Sequence, residues 1–429
     1  MHKTSNPESI KAFLRSIYSQ ALAPALPANA LLGHNWPRVS GRIFVLSVGK
    51  AAAQMMAAIG PHLPNDADGL IVTRQGFAPL ETAQMQSIPG NIELVEAAHP
   101  VPDNAGADAA QRALASADQL GKDDLLLVLM SGGASALMPA PIEGLTLTAK
   151  QKITKALLHS GAPIDQMNIV RKHLSAIKGG RLAQRAYPAS THMIAISDIP
   201  GDDMGMIGSG PTMADASTCA DALAIIDRYA IAIPDSIRTH LETGHFETPK
   251  PGTPPMEKVS AELCAKPADM CEAARAAVTA HGYETFMLGD ALEGDAVKLG
   301  QEQAKLALHY AAQKRKVALI SGGEATVAIR NFEGRGGRCS TYLLACALAL
   351  EGAHQITAIA ADSDGIDGSE DNAGAFLWPD ILQAMGGKQS AQSFLDNDNS
   401  YLAFEKADAL HITGPSGTNV NDLRIILVG

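Results

Sequence analysis

Two segments in opposite halves of this chain carry nearly the same message. Leu125-Leu126-Leu127-Val128-Leu129-Met130 runs into Ser131-Gly132-Gly133-Ala134-Ser135, and Lys316-Val317-Ala318-Leu319-Ile320 runs into Ser321-Gly322-Gly323-Glu324-Ala325-Thr326. A short apolar run closed by a glycine turn reads as a strand buried on both faces, which belongs in an α/β sheet covered by helices. Backbone N–H groups at such a turn, above a strand's carboxyl end, form a seat for phosphate or carboxylate. Two seats imply two anionic groups, as in phosphoryl transfer between a nucleotide and a small acid.

The pattern around these segments alternates strand and helix. An amphipathic helix is expected over 7–26 and strands over 42–48, 69–73, 92–97, 124–130 and 192–197, with helices between them. The stretch 248–257, with four prolines, reads as a linker. Beyond it the alternation restarts, with strands over 284–288, 316–320, 356–361, 409–412 and 424–428. The expected fold is therefore α/β: two Rossmann-like three-layer domains, 1–247 and 248–429, with mostly parallel sheets and an active-site cleft between them.

Composition narrows the function. A length of 429 residues exceeds one ordinary core. The net charge of −11 argues against nucleic acid as a partner. Five cysteines without a Cys-x-x-Cys pair fit a reducing cytoplasm better than a disulfide framework. The amino terminus shows no apolar signal core, and no apolar run is long enough for a membrane span. No Walker-type P-loop, no Gly-x-Gly-x-x-Gly after the first strand and no zinc spacing is present, so a dinucleotide dehydrogenase is disfavoured.

Several residues are candidates for chemistry. Lys50 stands at a predicted helix start, where the dipole disfavours a cation unless an anion joins it; an anion clamp and a solvated lysine stay equally open. Arg335 and Arg338, in Gly334-Arg335-Gly336-Gly337-Arg338, offer planar donors for phosphate or carboxylate. Asp362, Asp364, Asp367, Glu370 and Asp371 crowd a strand end, as do Asp198, Asp202 and Asp203, and either group suits Mg²⁺ or is turn chemistry. The run 413–422, with Gly414, Thr418 and Asn419, reads as a nucleotide-holding turn or a helix start. Asn168, Arg171, Lys172, His173 and Lys178 read as a polar surface helix.

Taken together, eight motifs resemble the glycerate 2-kinase family, whose carboxy-terminal part is the MOFRL domain and whose members often carry the older label hydroxypyruvate reductase. They are 47–53 (SVGKAAA), 130–137 (MSGGASAL), 167–182 (MNIVRKHLSAIKGGRL), 196–203 (ISDIPGDD), 208–212 (GSGPT), 334–338 (GRGGR), 362–368 (DSDGIDG) and 413–422 (TGPSGTNVND). The resemblance implies an ATP- and Mg²⁺-dependent kinase acting on the 2-hydroxyl of D-glycerate or a close relative. It implies Lys50 and Arg338 as catalytic cations and puts Asp198 at an acidic strand end of the family, where a carboxylate is a candidate acceptor of the hydroxyl proton. It implies ligand-binding turns holding Ser131, Gly132, Gly133, Ser135, Ser321, Gly322, Gly323 and Glu324; Arg335, Gly414, Thr418 and Asn419 join them as binding candidates on their own chemistry, and Asp362 and Asp198 as candidate metal ligands. A homodimer is one open assembly.

This chain departs from the family at two places. Cys339, Ser340 and Thr341 stand where the family usually places an Asn and, two residues later, a Glu; Ala134 stands where it usually places a third glycine. Two rival readings follow, an NAD(P)H-dependent hydroxypyruvate reductase and a non-catalytic binder of small acid or nucleotide.

Overall fold

The computed structural model describes residues 6–34, 36–37, 39–78, 84 and 86–429. Residues 1–5, at the terminus read above as lacking a signal core, lie outside the described residues. The chain divides into two compact units, Leu31–Cys264 and Met1–Ala30 with Ala265–Gly429.

The unit Leu31–Cys264 is built on a six-stranded sheet: β1 (Ile43–Val48), β2 (Asp68–Arg74), β3 (Ile92–Ala97), β4 (Leu125–Met130), β5 (Ser190–Ile196) and β6 (Val259–Ala265), ordered β3-β2-β1-β4-β5-β6. The pairs from β3 through β5 are parallel, with Val48 beside Met130 and Met130 beside Ala195. Phe44, Leu46, Val48, Leu126, Val128 and Met130 share one core with the helices Asn104–Ala117 and Arg181–Ala186. Their neighbours Val45, Leu127 and Leu129 are equally buried. Burial on both faces explains why these strands read as unbroken apolar runs. A satellite cluster joins the helices Leu147–His159, Ile164–His173, Cys219–Arg228 and Asp235–Glu242.

In the other unit the sheet comprises β7 (Glu284–Gly289), β9 (Val317–Gly323), β11 (Ile356–Asp362), β12 (Gly374–Leu377), β13 (Leu410–His411) and β14 (Asp422–Val428), ordered β13-β12-β11-β14-β9-β7. The two-residue strands β8 (Gly294–Asp295) and β10 (Ala325–Thr326) pair separately. Within the six-stranded sheet only β7 and β9 pair in parallel; β14 runs antiparallel to both its neighbours, and β12 to both of its own. The expectation of a mostly parallel sheet is corrected here. Apolar runs reveal burial but not direction, and β11 returns to β12 through a loop rather than a crossover helix.

The domain boundary also shifts. The expected break at 247–248 falls inside the unit Leu31–Cys264, because β6 extends that unit's sheet beyond the proline-rich stretch. Residues 6–30 belong with the carboxy-terminal unit, where Lys11 Nζ bonds Asp408 Oδ2 at 3.0 Å and the Tyr18 hydroxyl donates to Asp362 O at 2.9 Å. Among the described residues no helix is long and apolar enough to cross a membrane.

Candidate active site

In the parallel sheet, strand order reverses direction between β1 and β4, and ligands of open α/β sheets bind at the carboxyl ends beside such a point. Lys50 follows β1 there, and the Ser131 turn follows β4. The two are stitched together: Lys50 N donates to Gly132 O at 2.9 Å, and Ala51 N donates to Ser131 Oγ at 3.0 Å. Gly49 has φ +128°, and a β-carbon on it would meet Ser131 Oγ at 2.2 Å, so only glycine fits. Gly133 is left-handed (φ +85°), and a β-carbon there would meet the His99 ring at 3.3 Å and Lys50 Cγ at 3.5 Å. Lys50, Ser131, Gly132, Gly133 and the loop histidine His99 thus share one locality. Asp198 lies two residues beyond the adjacent β5 and is half-buried.

Beside this turn stands a residue that the sequence reading assigned to a surface helix. Lys178 is buried, and its ammonium donates to Ser135 Oγ at 2.6 Å, Ser135 O at 3.1 Å and Gly208 O at 3.1 Å. Ser135 Oγ in turn lies 3.1 Å from Ser209 Oγ, which bonds Asn168 Oδ1 at 3.4 Å. Burial holds the Lys178 pKa well below its ordinary value, and the cations Lys150 and Arg171 push the same way. Lys150, donating to Leu174 O, is lowered to about 7 by burial, then by Arg181 and Arg171. A buried group of cations depressing one another's pKa gains from an incoming anion. The surface-helix reading is therefore corrected: Asn168 and His173 are also buried, and the helix ends at His173. A lysine in the otherwise uncharged run 174–180 was the available signal.

The second group of candidates gathers where β14 starts. Its antiparallel register puts Asp422 beside Asp362 on one side and Gly323 on the other. Arg338 begins the helix Arg338–Leu350 and binds three carboxylates: Nε to Asp422 Oδ1 (2.8 Å), Nη1 to Glu324 Oε1 (2.6 Å) and Nη2 to Asp362 Oδ2 (2.7 Å). Burial opposes the charge, but Asp362, Asp422 and Glu324 outweigh it and raise the Arg338 pKa. Arg424, fully buried within β14, donates to Asp422 Oδ2 and to Gly322 O and Gly323 O. Three carboxylates thus share two guanidiniums. Among the described residues these bonds engage three of the five Arg338 N–H donors. Asp422, the last residue of the 413–422 motif but not among the expected site residues, is central to this group.

Other expectations change. Ser321, Gly322 and Gly323 form no turn: they are the last residues of β9, paired with β14, and Ser321 Oγ exchanges hydrogen bonds with Gln303. The likeness to the Ser131 segment is one of sequence and burial, not of geometry. Arg335 is exposed, paired with Glu370 and stacked on Tyr401. Thr418 is buried and donates to Ala25 O. Gly414 and buried Asn419 belong to a loop packed on residues 363–365, with Ser416 N donating to Asp364 O and Val420 N to Ser363 Oγ. Of the two readings of this loop, the helix start is corrected, since the strand β14 follows it.

The acidic cluster also disperses. Asp367 accepts from Cys339 N (2.9 Å) and Ser340 N (2.8 Å) at the helix start, and burial pushes its carboxyl up to about 6 against those bonds. Asp364 Oδ1 accepts from Ile366 N, and Asp371 from the Tyr401 hydroxyl. Asp362 Oδ1 accepts from Asp364 N. Among the described residues no trio of His, Cys, Asp or Glu with metal-ligating proximity contains Asp362 or Asp198.

The departures from the family pattern have structural positions. Ala134 is buried in the core, on the side of Gly208. Cys339 and Ser340 are fully buried. Ser340 Oγ caps Gly337 N, and both it and Thr341 Oγ1 lie about 3 Å from Ser400 Oγ. Thr341 also borders a 680 Å³ cavity shared with Lys298, Lys305 and Arg330.

Comparison with known proteins places these features. The profile of the MOFRL family matches residues 317–422, and that of a domain of unknown function, DUF4147, matches 13–242. The chain is 46% identical, over 99% of its length and 96% of the relative's, to an Agrobacterium vitis protein named "Putative hydroxypyruvate reductase". It is 35% identical to D-glycerate 2-kinase of Thermotoga maritima, covering 99% of each. A crystal structure of glycerate kinase (EC 2.7.1.31) from Thermotoga maritima aligns with a TM-score of 0.87 at 35% identity, over 99% of this chain and 100% of that one.

Proposed function

The chain belongs to the glycerate 2-kinase family, and from that premise we propose that it transfers the γ-phosphoryl group of ATP to the 2-hydroxyl of D-glycerate, giving 2-phosphoglycerate and ADP. The observation that carries this reading is the full-length similarity to a D-glycerate 2-kinase together with a turn that joins Lys50 to Ser131–Gly133. The strand order alone does not separate a kinase from a dinucleotide enzyme, since both use it. The residues after β1 do: Gly49-Lys50-Ala51 offers a cation where a dinucleotide site needs a run of glycines.

Phosphoryl transfer relies on positioning and charge stabilisation. The Ser131–Gly133 turn and Lys50 are assigned to an anionic group of substrate or nucleotide. Lys178 is assigned to hold the Ser135 hydroxyl toward it. Arg338, pre-oriented by three carboxylates, offers its two remaining donors to the transferring group. Asp198 is assigned as the acceptor of the hydroxyl proton.

Mg²⁺ needs only one or two protein carboxylates, with nucleotide phosphates and water completing its shell. Asp362 fits as one of three carboxylates, with Asp422 and Glu324, that share only two guanidiniums; Asp198 is the second candidate. The ion would neutralise phosphate charge there. Location in the cytoplasm is part of the same reading.

The test is an ADP-release assay with Mg-ATP and D-glycerate, run beside an NADH-oxidation assay with hydroxypyruvate. ADP release without NADH oxidation is expected. Lys50→Ala should lower kcat/KM by at least ~100-fold. NADH oxidation without ADP release would overturn the assignment.

A further inference from the structure

Away from all these residues, the unit Leu31–Cys264 brings two imidazoles and a carboxylate together at the edge of its sheet. His192 lies on β5, Glu262 on the edge strand β6, and His34 on the segment that precedes β1. Glu262 Oε1 stands 3.2 Å from His34 Nε2 and 2.9 Å from His192 Nε2. All three ligating atoms lie within 4.8 Å of one another. Both Nε2 atoms are buried and neither makes a hydrogen bond in proper geometry, even to the nearby carboxylate. Two buried ring nitrogens thus converge on one oxygen without a well-placed proton between them.

The surroundings suit a metal ligand. His192 Nδ1 lies 2.7 Å from Ser260 Oγ, and Ser260 Oγ donates onward to Thr191 O at 3.5 Å. With its Nδ1 proton given to Ser260, His192 presents the Nε2 lone pair to the group, the usual outer-shell arrangement of a ligating histidine. Trp36 packs against the His34 ring, with centroids 4.5 Å apart. By contrast, in the trio His173, Cys219 and Glu247 the imidazole already bonds Ile169 O and Glu247, and Glu247 bonds Lys250.

We propose that His34, His192 and Glu262 form a binding site for a late first-row divalent cation, with Zn²⁺ as the reference ion. Two imidazoles and one carboxylate are a zinc ligand set, whereas Mg²⁺ prefers oxygen alone. Metal–ligand bonds of about 2.0–2.2 Å set tetrahedral donors roughly 3.3–3.5 Å apart, so the present contacts need open only slightly. The fourth position goes to water, on the half-exposed side of Glu262. The ion ties the segment before β1 to the β5–β6 edge, so its role is a structural clip that does not depend on the kinase reaction.

The full-length protein, stripped with a chelator, is dialysed against buffered micromolar Zn²⁺, and bound metal is counted by mass spectrometry. One Zn²⁺ per chain is expected, with a rise in Tm. Co²⁺ should give the visible absorption of a four-coordinate site, and Ni²⁺ should quench Trp36 fluorescence. His192→Ala and the gentler Glu262→Gln should each weaken Zn²⁺ binding at least tenfold, with circular dichroism reporting that the fold is kept. The proposal fails if the native chain takes up no Zn²⁺. It fails equally if Glu262→Gln, still folded, binds as tightly as the native chain.

Discussion

The ammonium of Lys178 rests 2.6 Å from the hydroxyl of Ser135, buried one turn beyond the Ser131–Gly133 corner. The ammonium's hydrogen bonds go to one hydroxyl and two backbone carbonyls, and the cations Lys150 and Arg171 act against its charge. An isolated buried lysine is costly, and an anion seated at the Ser131–Gly133 turn, as proposed above, would offset that cost.

Lys178→Met keeps the volume and removes the donor. It should lower kcat/KM for D-glycerate about 100-fold while leaving the urea midpoint unchanged or higher, because a buried cation has gone. Steady-state ADP release and urea unfolding on the same preparation report both numbers. Wild-type turnover in the variant would remove Lys178 from the site.

Gly133→Ala tests the turn itself. The left-handed backbone costs an alanine about 1–2 kcal/mol, and the new methyl meets the His99 ring. Stability should fall by about that amount, and KM for one substrate should rise more than kcat falls. Unfolding curves and initial rates at varied ATP and D-glycerate would show which substrate this turn serves.

Arg338→Ala leaves Asp422 and Asp362, both buried, and the more exposed Glu324 without their shared partner. Breaking such a pair should destabilise the protein by about 3–5 kcal/mol. Arg338→Lys, which cannot fork to three carboxylates, should recover part of that stability and little of the activity. Should Arg338→Ala unfold at the wild-type urea concentration, the ion network would be ornamental.

Lys150 sets a pH dependence. Its pKa is about 7 when folded against 10.5 for an ordinary lysine. Between those values the unfolded chain holds the extra proton, so stability rises with pH across that window. Lys150→Met should flatten the rise by up to about 1.4 kcal/mol per pH unit. The slope, read from urea unfolding at pH 7 to 10, is independent of whatever the lost contact with Leu174 O costs. Parallel slopes in both proteins would place the Lys150 proton elsewhere.

The first unit was largely legible because its information is local. Apolar runs ending in Gly49-Lys50 and Ser131-Gly132-Gly133 specify buried strands, tight corners and the residues at their carboxyl ends. β6 escaped because its alternating, half-buried residues follow a proline-rich stretch and carry a weak edge-strand signal. The second sheet misled: Ser321-Gly322-Gly323 matches Ser131-Gly132-Gly133 in sequence, yet one continues a ladder and the other turns.

The sequence by itself determined most of the strand segments, their alternation with helices, and the eight motifs that carry the family. Only the tertiary structure decided strand direction in the second sheet, the row of Asp362, Asp422 and Gly323, and the burial of Lys178 against Ser135. The reason is separation: Arg338 meets a carboxylate 84 residues away and Lys178 a hydroxyl 43 residues away. Local periodicity encodes what a residue's own turn or strand buries, whereas pairings across such distances follow from sheet order and register, which no single segment contains.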